Sequence, residues 1–283
     1  MGEANRLLGY PDDARLLLIN ADDLGMYQAI NDAIALAFRD GVVQSTSLMV
    51  PCPGARRAMQ FLAENPAIPF GVHLSVIRDI DHHRWGPITP RERVASLLDE
   101  EGRLYSSERI PEMLARARLD ELELEFRAQI GTVLAAGLAP THLDWHCLHS
   151  GGRADVFAMT FELAREHGLA LRVASHPFIH QVQSLGLPTT DHDLLDSFRL
   201  DIANKSTTYA RMLRELPTGL SEWAVHPSLG DAASQAMDPG GWRVRRTDLE
   251  FVTSPEARAI IQQEGIELIS YRLLQRIWQG TSS

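Results

Sequence analysis

The stretch Leu16-Leu17-Leu18-Ile19-Asn20-Ala21-Asp22-Asp23-Leu24-Gly25 decides the architecture. Its apolar run, Leu16 to Ile19, has strand length, and the polar segment Asn20–Gly25 follows it as a turn. Ile30, Ala33, Ile34, Ala37 and Phe38 then recur at helical spacing, with Gly41 placed to end the helix. A buried strand, a polar turn and an amphipathic helix make one βα unit.

The same rhythm continues outward. Strands are expected over Val42–Val50, Phe70–Leu74, Thr141–Trp145, Leu169–Ala174, Ser221–Val225 and Ile266–Ile269. Helices are expected over Arg56–Glu64, Asp155–His167, Thr207–Glu215 and Tyr271–Trp278, and from Ser254-Pro255-Glu256 onward. Another helix has Leu119, Leu122, Phe126, Ile130, Val133 and Leu134 on one face, acidic Asp120 and Glu121 in its first turn, and Gly137 and Pro140 beyond its end. Strands alternating with helices predict a parallel sheet covered by helices, and about seven such units favour a TIM-like (β/α) barrel, incomplete or distorted. No glycine-rich nucleotide fingerprint follows any strand. The charged, turn-rich segment 75–118 breaks the rhythm and reads as a lid or insertion within a single domain spanning 1–283. Trp85 and Tyr105 within it either stack on a ligand ring or pack the lid's own core.

The 283 residues carry 27 Lys+Arg against 37 Asp+Glu, a formal net charge of -10. That balance argues against nucleic acid or an anionic membrane as partner, since both reward clustered cations. The run Arg243-Val244-Arg245-Arg246 is too short to reverse it. Two cysteines, Cys52 and Cys147, supply no disulfide framework, no membrane span is expected, and no secretory signal is seen in Met1–Tyr10. A cytoplasmic location is the default expectation.

In α/β barrels the chemistry gathers where strands end. Asp22-Asp23, His73, His142-x-Asp144-x-His146 and His226 all fall at such ends. Taken singly each has an ordinary explanation: a solvated acidic turn, a satisfied core histidine. Joint placement on one rim is the stronger signal. Adjacent carboxylates closed into a cleft need a compensating cation, and one Asp with two imidazoles is a familiar divalent-metal set. Water activated by such a cation needs a base, which the second carboxylate provides, and a histidine across the cleft can protonate a leaving group. The residues alone leave open which Asp binds the metal.

At these positions the sequence resembles the YdjC-like carbohydrate deacetylase family, and the resemblance runs nearly end to end. It rests on Asn20–Gly25 with Asn31, on Val43–Met49, Gly71–Leu74 and Thr141–His146, and on Ala224–Pro227, Leu249–Glu256 and Gly265–Arg272. The resemblance implies a (β/α) barrel that uses a divalent cation, Mg or Zn, to hydrolyse the acetyl group of an N-acetylated sugar or small glycoconjugate. Carried over residue by residue, Asp23, His73 and His146 are the metal ligands, Asp22 is the base and His226 the general acid; relatives of this type also suggest a homodimer. Two positions depart from the family. Trp145 replaces a small residue and either narrows the sugar site or packs outward. Cys147-Leu148-His149 replaces further alternating histidines; Cys147 reads as a buried small residue rather than a soft ligand, and His149 is not assigned a role. The rival readings are a metal-dependent sugar isomerase or epimerase and a non-catalytic carbohydrate-binding relative.

Overall fold

The computed structural model describes residues 2–280. Its first half runs α1 (Glu3–Leu8), β1 (Arg15–Leu24), α2 (Gln28–Asp40), β2 (Ser45–Leu48), α3 (Ala55–Glu64) and β3 (Phe70–Leu74). Next come β4 (Ile77–Arg78), β5 (Tyr105–Ser106), α4 (Ile110–Arg116), α5 (Leu119–Ala135), β6 (His142–Trp145), α6 (Ala154–Glu166) and β7 (Ala170–Leu171). The chain continues through α7 (His176–Gln183), β8 (Leu195–Asp196), α8 (Lys205–Arg214), β9 (Gly219–Val225) and α9 (Ala232–Met237). It closes with α10 (Trp242–Val252), α11 (Pro255–Gln263), β10 (Glu267–Leu268) and α12 (Tyr271–Gly280).

The main sheet has the order β7-β6-β3-β2-β1-β9-β8, with β10 pairing the start of β1, and every pair is parallel. The curled sheet and its flanking helices make the distorted (β/α) barrel that the alternation predicts. Among the described residues its outer strands, β7 and β8, do not pair with each other. β1 is buried along nine of its ten positions, as expected of a central parallel strand sandwiched between layers. Helix α2 turns Ile30, Ala33, Ile34 and Ala37 inward, and Ser254 caps α11 by accepting from the Ala257 N–H at 3.1 Å.

Several expected boundaries contract. The 42–50 strand survives as Ser45–Leu48, and 169–174 as a two-residue β7, with single backbone bonds continuing on their flanks, Gln44 N–H to the Ile19 carbonyl and Arg172 N–H to the Leu143 carbonyl. The 75–118 segment is ordered rather than loose. Its β4 and β5 form a small parallel sheet, and α5 pins it: Glu125 accepts from the N–H groups of Ile88 and Thr89 at 2.9 Å each. Trp85 and Tyr105 are buried within it, Trp85 donating its indole N–H to the Ile77 carbonyl. They pack the insertion's own core.

Candidate active site

The parallel register aligns the strand ends. His73 on β3 pairs with Asp144 on β6, so their side chains share a face and meet at 2.9 Å, Nδ1 to Oδ1. Asn20 and Ala21 of β1 pair with Ala224 and Val225 of β9, which brings His226 beside Asp22. Successive strand residues normally face opposite ways. Asp23 escapes that rule with a left-handed backbone, φ 69°, where the β1–β2 register also slips. A non-glycine residue held there is a strained feature characteristic of functional sites. The turn is braced by Asn31, which accepts from the Gly25 N–H at 2.7 Å and donates to the Gly54 carbonyl at 3.1 Å.

Asp23, His73 and His146 meet. Asp23 Oδ1 lies 3.3 Å from His73 Nε2 and 3.2 Å from His146 Nδ1, and all three side chains are almost wholly buried. Asp23 Oδ1 accepts no hydrogen bond, although Oδ2 takes one from Arg245 Nη1 at 2.7 Å. A buried carboxylate oxygen without a donor, facing two imidazole nitrogens, fits a divalent cation. Asp144 accepts at His73 Nδ1 and so fixes that proton, leaving Nε2 to ligate.

The local charge balance points the same way. Among the described residues, Asp22, Asp23, Asp79, Asp144, Glu222 and Asp238 are paired with two guanidiniums, those of Arg172 and Arg245. Burial works against a charged His73, yet Asp144, Asp23 and Asp22 raise its pKa to about 9. Burial likewise opposes charge on His146, and its acidic neighbours push its pKa well above the usual imidazole value. Burial favours a neutral Asp23, but Arg245 and the imidazoles overcome this and hold its carboxyl well below the usual range.

Asp22 has a separate environment. Arg172 forks onto it, Asn20 donates to its Oδ1 at 2.7 Å, and His226 Nε2 stands 3.9 Å from Oδ2. His226 Nδ1 lies 2.8 Å from Ser197 Oγ, and the exposed Phe198 ring meets its imidazole edge-on. A cleft of about 570 Å³ contains all five sequence-predicted residues and is bordered by Asp79, Cys147, His149 and Phe198.

Other readings are corrected. Cys147 is exposed on the cleft, not a buried small residue, because its left-handed backbone (φ 59°) turns it out of the strand. Trp145 donates to Thr160 Oγ1 of α6 and lies near the Phe157 ring, and it also lines the cleft. His142 lies away from the Asp23 cluster, stacked on Tyr271 at 3.6 Å. Sequence reasoning missed Asp79, Arg172, Glu222 and Arg245. Arg172 and Glu222 had a signal, a charge inside an otherwise apolar strand. Arg245 was hidden in a run that resembles surface charge.

Fold and rim together define a (β/α) barrel with an Asp–His–His cluster able to hold a divalent cation. The YdjC-like family model matches residues 16–263, and the chain belongs to this family. It is 26% identical to a carbohydrate deacetylase of Thermoanaerobacter pseudethanolicus, covering 92% of this chain and 100% of that one. It is 29% identical to a chitooligosaccharide deacetylase of Yersinia enterocolitica, covering 91% and 98%. A crystal structure from Enterococcus faecalis, described provisionally as that of a cellobiose-phosphate cleavage protein, superposes with a TM-score of 0.79 at 29% identity, covering 92% and 99%.

Proposed function

We propose that this chain is a divalent-cation-dependent carbohydrate N-deacetylase that hydrolyses the acetamide of an N-acetylated amino sugar or small glycoconjugate. The observation that carries the reading is the donor-less Asp23 Oδ1 facing His73 Nε2 and His146 Nδ1. The names of relatives that span almost the whole chain support the substrate class. Asp23, His73 and His146 would hold the cation, and the one-carboxylate, two-imidazole set suits zinc or a cation of similar hardness. When bound, the cation supplies Lewis acidity that makes water acidic and polarises a carbonyl.

The chain's own groups do the rest. Arg172 keeps Asp22 ionised and aimed, so Asp22 takes the proton of the attacking water. Oxygen adds to the amide carbon, the C–N bond breaks, and His226 Nε2 protonates the departing amine. Ser197 fixes the far side of that imidazole. The 75–118 insertion acts as a lid, delivering Asp79 to the cleft and resting on α5.

The test is acetate release from a panel of N-acetylated mono- and disaccharides, with the protein loaded in turn with Mg, Mn, Co and Zn. Asp22→Asn should keep the cation and lose turnover by roughly 10²–10⁴-fold. Near wild-type turnover in that variant refutes the base assignment, and a product of unchanged mass favours an isomerase.

A further inference from the structure

We propose a second, softer cation position on the other nitrogen of His146, built from Asp79, His146 and Cys147. His146 faces two donor sets. Its Nδ1 looks at Asp23, while Nε2 lies 2.5 Å from Asp79 Oδ1 and 3.3 Å from Cys147 Sγ. Cys147 Sγ is in turn 3.8 Å from Asp79 Oδ1. One oxygen, one nitrogen and one sulfur thus gather within 4.8 Å of one another. The N–S and S–O separations are those of neighbouring ligands around a tetrahedral ion with bonds of about 2.0–2.3 Å. The shorter N–O distance is the hydrogen bond that an arriving cation would replace.

Two features make the position usable. Cys147 is an exposed residue that lines the cleft, which is the route by which an ion would approach it. Asp79 is four-fifths buried and its Oδ1 points at the imidazole, with Oδ2 only loosely held by Arg245 Nη2 at 3.5 Å. Sulfur in the set selects zinc or cadmium over magnesium. With no cation on the Asp23 side, Nδ1 keeps a proton, and binding sends the Nε2 proton and the Cys147 thiol proton to solvent. A cation there draws electron density from a ring that also serves the Asp23 side, and it occupies the cleft. Excess soft cation is therefore a brake on the site. The brake, though not the binding position, rests on the deacetylase reading.

Cadmium titration with ultraviolet detection tests the position, because thiolate-bound cadmium absorbs and carboxylate- or imidazole-bound cadmium does not. The full chain should develop this absorption. Cys147→Ser should lose it, Asp79→Asn should weaken it, and Cys52→Ser and Asp23→Asn should keep it, with circular dichroism checking each fold. No absorption in the wild type, or undiminished absorption in Cys147→Ser, overturns the site. Absorption without acetate release from any sugar leaves the position standing and counts only against the deacetylase reading. Where turnover is measured, excess zinc should slow the wild type and spare Cys147→Ser, and equal sensitivity overturns the brake.

Discussion

Arg172 lays both Nη atoms on the Asp22 carboxylate, 2.7 Å from Oδ2 and 2.8 Å from Oδ1. Its Nε reaches Glu222 at 2.8 Å, and Tyr271 donates to the other Glu222 oxygen at 2.6 Å. Burial opposes charge on Arg172, and Asp22, Glu222 and Asp144 reverse that effect. The fork keeps Asp22 ionised and separates its task from that of its neighbour Asp23.

Arg172→Lys keeps a cation but loses the planar two-point grip. The expected outcome is a fall in kcat of about 10²-fold with KM little changed, since on the proposed mechanism Asp22 and not sugar binding is disturbed. Cation content, measured by elemental analysis, should stay at the wild-type level. A loss confined to KM would place Arg172 in substrate binding instead.

Cation binding should also stabilise the fold, because it relieves the crowded carboxylates. At 100 times its dissociation constant, a cation that binds only the native state adds about 2.7 kcal/mol. Thermal melting with and without chelator should show this difference in the wild type. His73→Gln and Asp23→Asn should show a much smaller difference, limited to what the Asp79–His146–Cys147 position contributes.

His142 gives a pH signature distinct from the carboxylates. Burial holds its pKa down at about 3, against 6.5 for the ordinary imidazole. Between those values the unfolded chain binds a proton that the folded chain refuses, so stability falls as pH drops through this window. The slope from this one group reaches about 1.4 kcal/mol per pH unit. Denaturant unfolding from pH 6 to pH 4 should be less pH-sensitive in His142→Phe than in wild type.

Gly71 is required by the same ring. A Cβ there would sit 2.5 Å from His142 Nε2 and Cδ2, and that imidazole is clamped on its other side by Tyr271. Gly71→Ala should cost about 1–3 kcal/mol through overpacking. Chemical denaturation measures it, and His142→Ala in the same chain should recover part of the loss.

The sequence made the βα rhythm legible because buried parallel strands are apolar runs and their helices are amphipathic. Asp22, Asp23, His73, His146 and His226 were legible because polar residues at the ends of such runs stand out. β8 was not legible, because a two-residue strand leaves no period to read, whereas the equally short β7 and β10 lie inside the longer apolar runs 169–174 and 266–269. Asp79 was invisible for another reason. It lies in an insertion with no pattern, and only tertiary packing on α5 carries it to His146. Arg245 likewise sits on α10, a helix with no strong signal, and its burial depends on Asp23 and Asp238 arriving from elsewhere.

The gap between β7 and β8 lies along the cleft: Arg172 and Ala174 border it on one side, Asp196 and Phe198 on the other. In this region Thr190 Oγ1 donates to the Val173 carbonyl at 3.1 Å, and Arg172, just past β7, reaches beyond β8 to Glu222 of β9. The arginine that spans this seam is thus the one that grips Asp22, the proposed base. Substitutions along this seam can retune the width of the mouth without dismantling any strand pairing, which gives the scaffold an inexpensive route to longer or bulkier sugars.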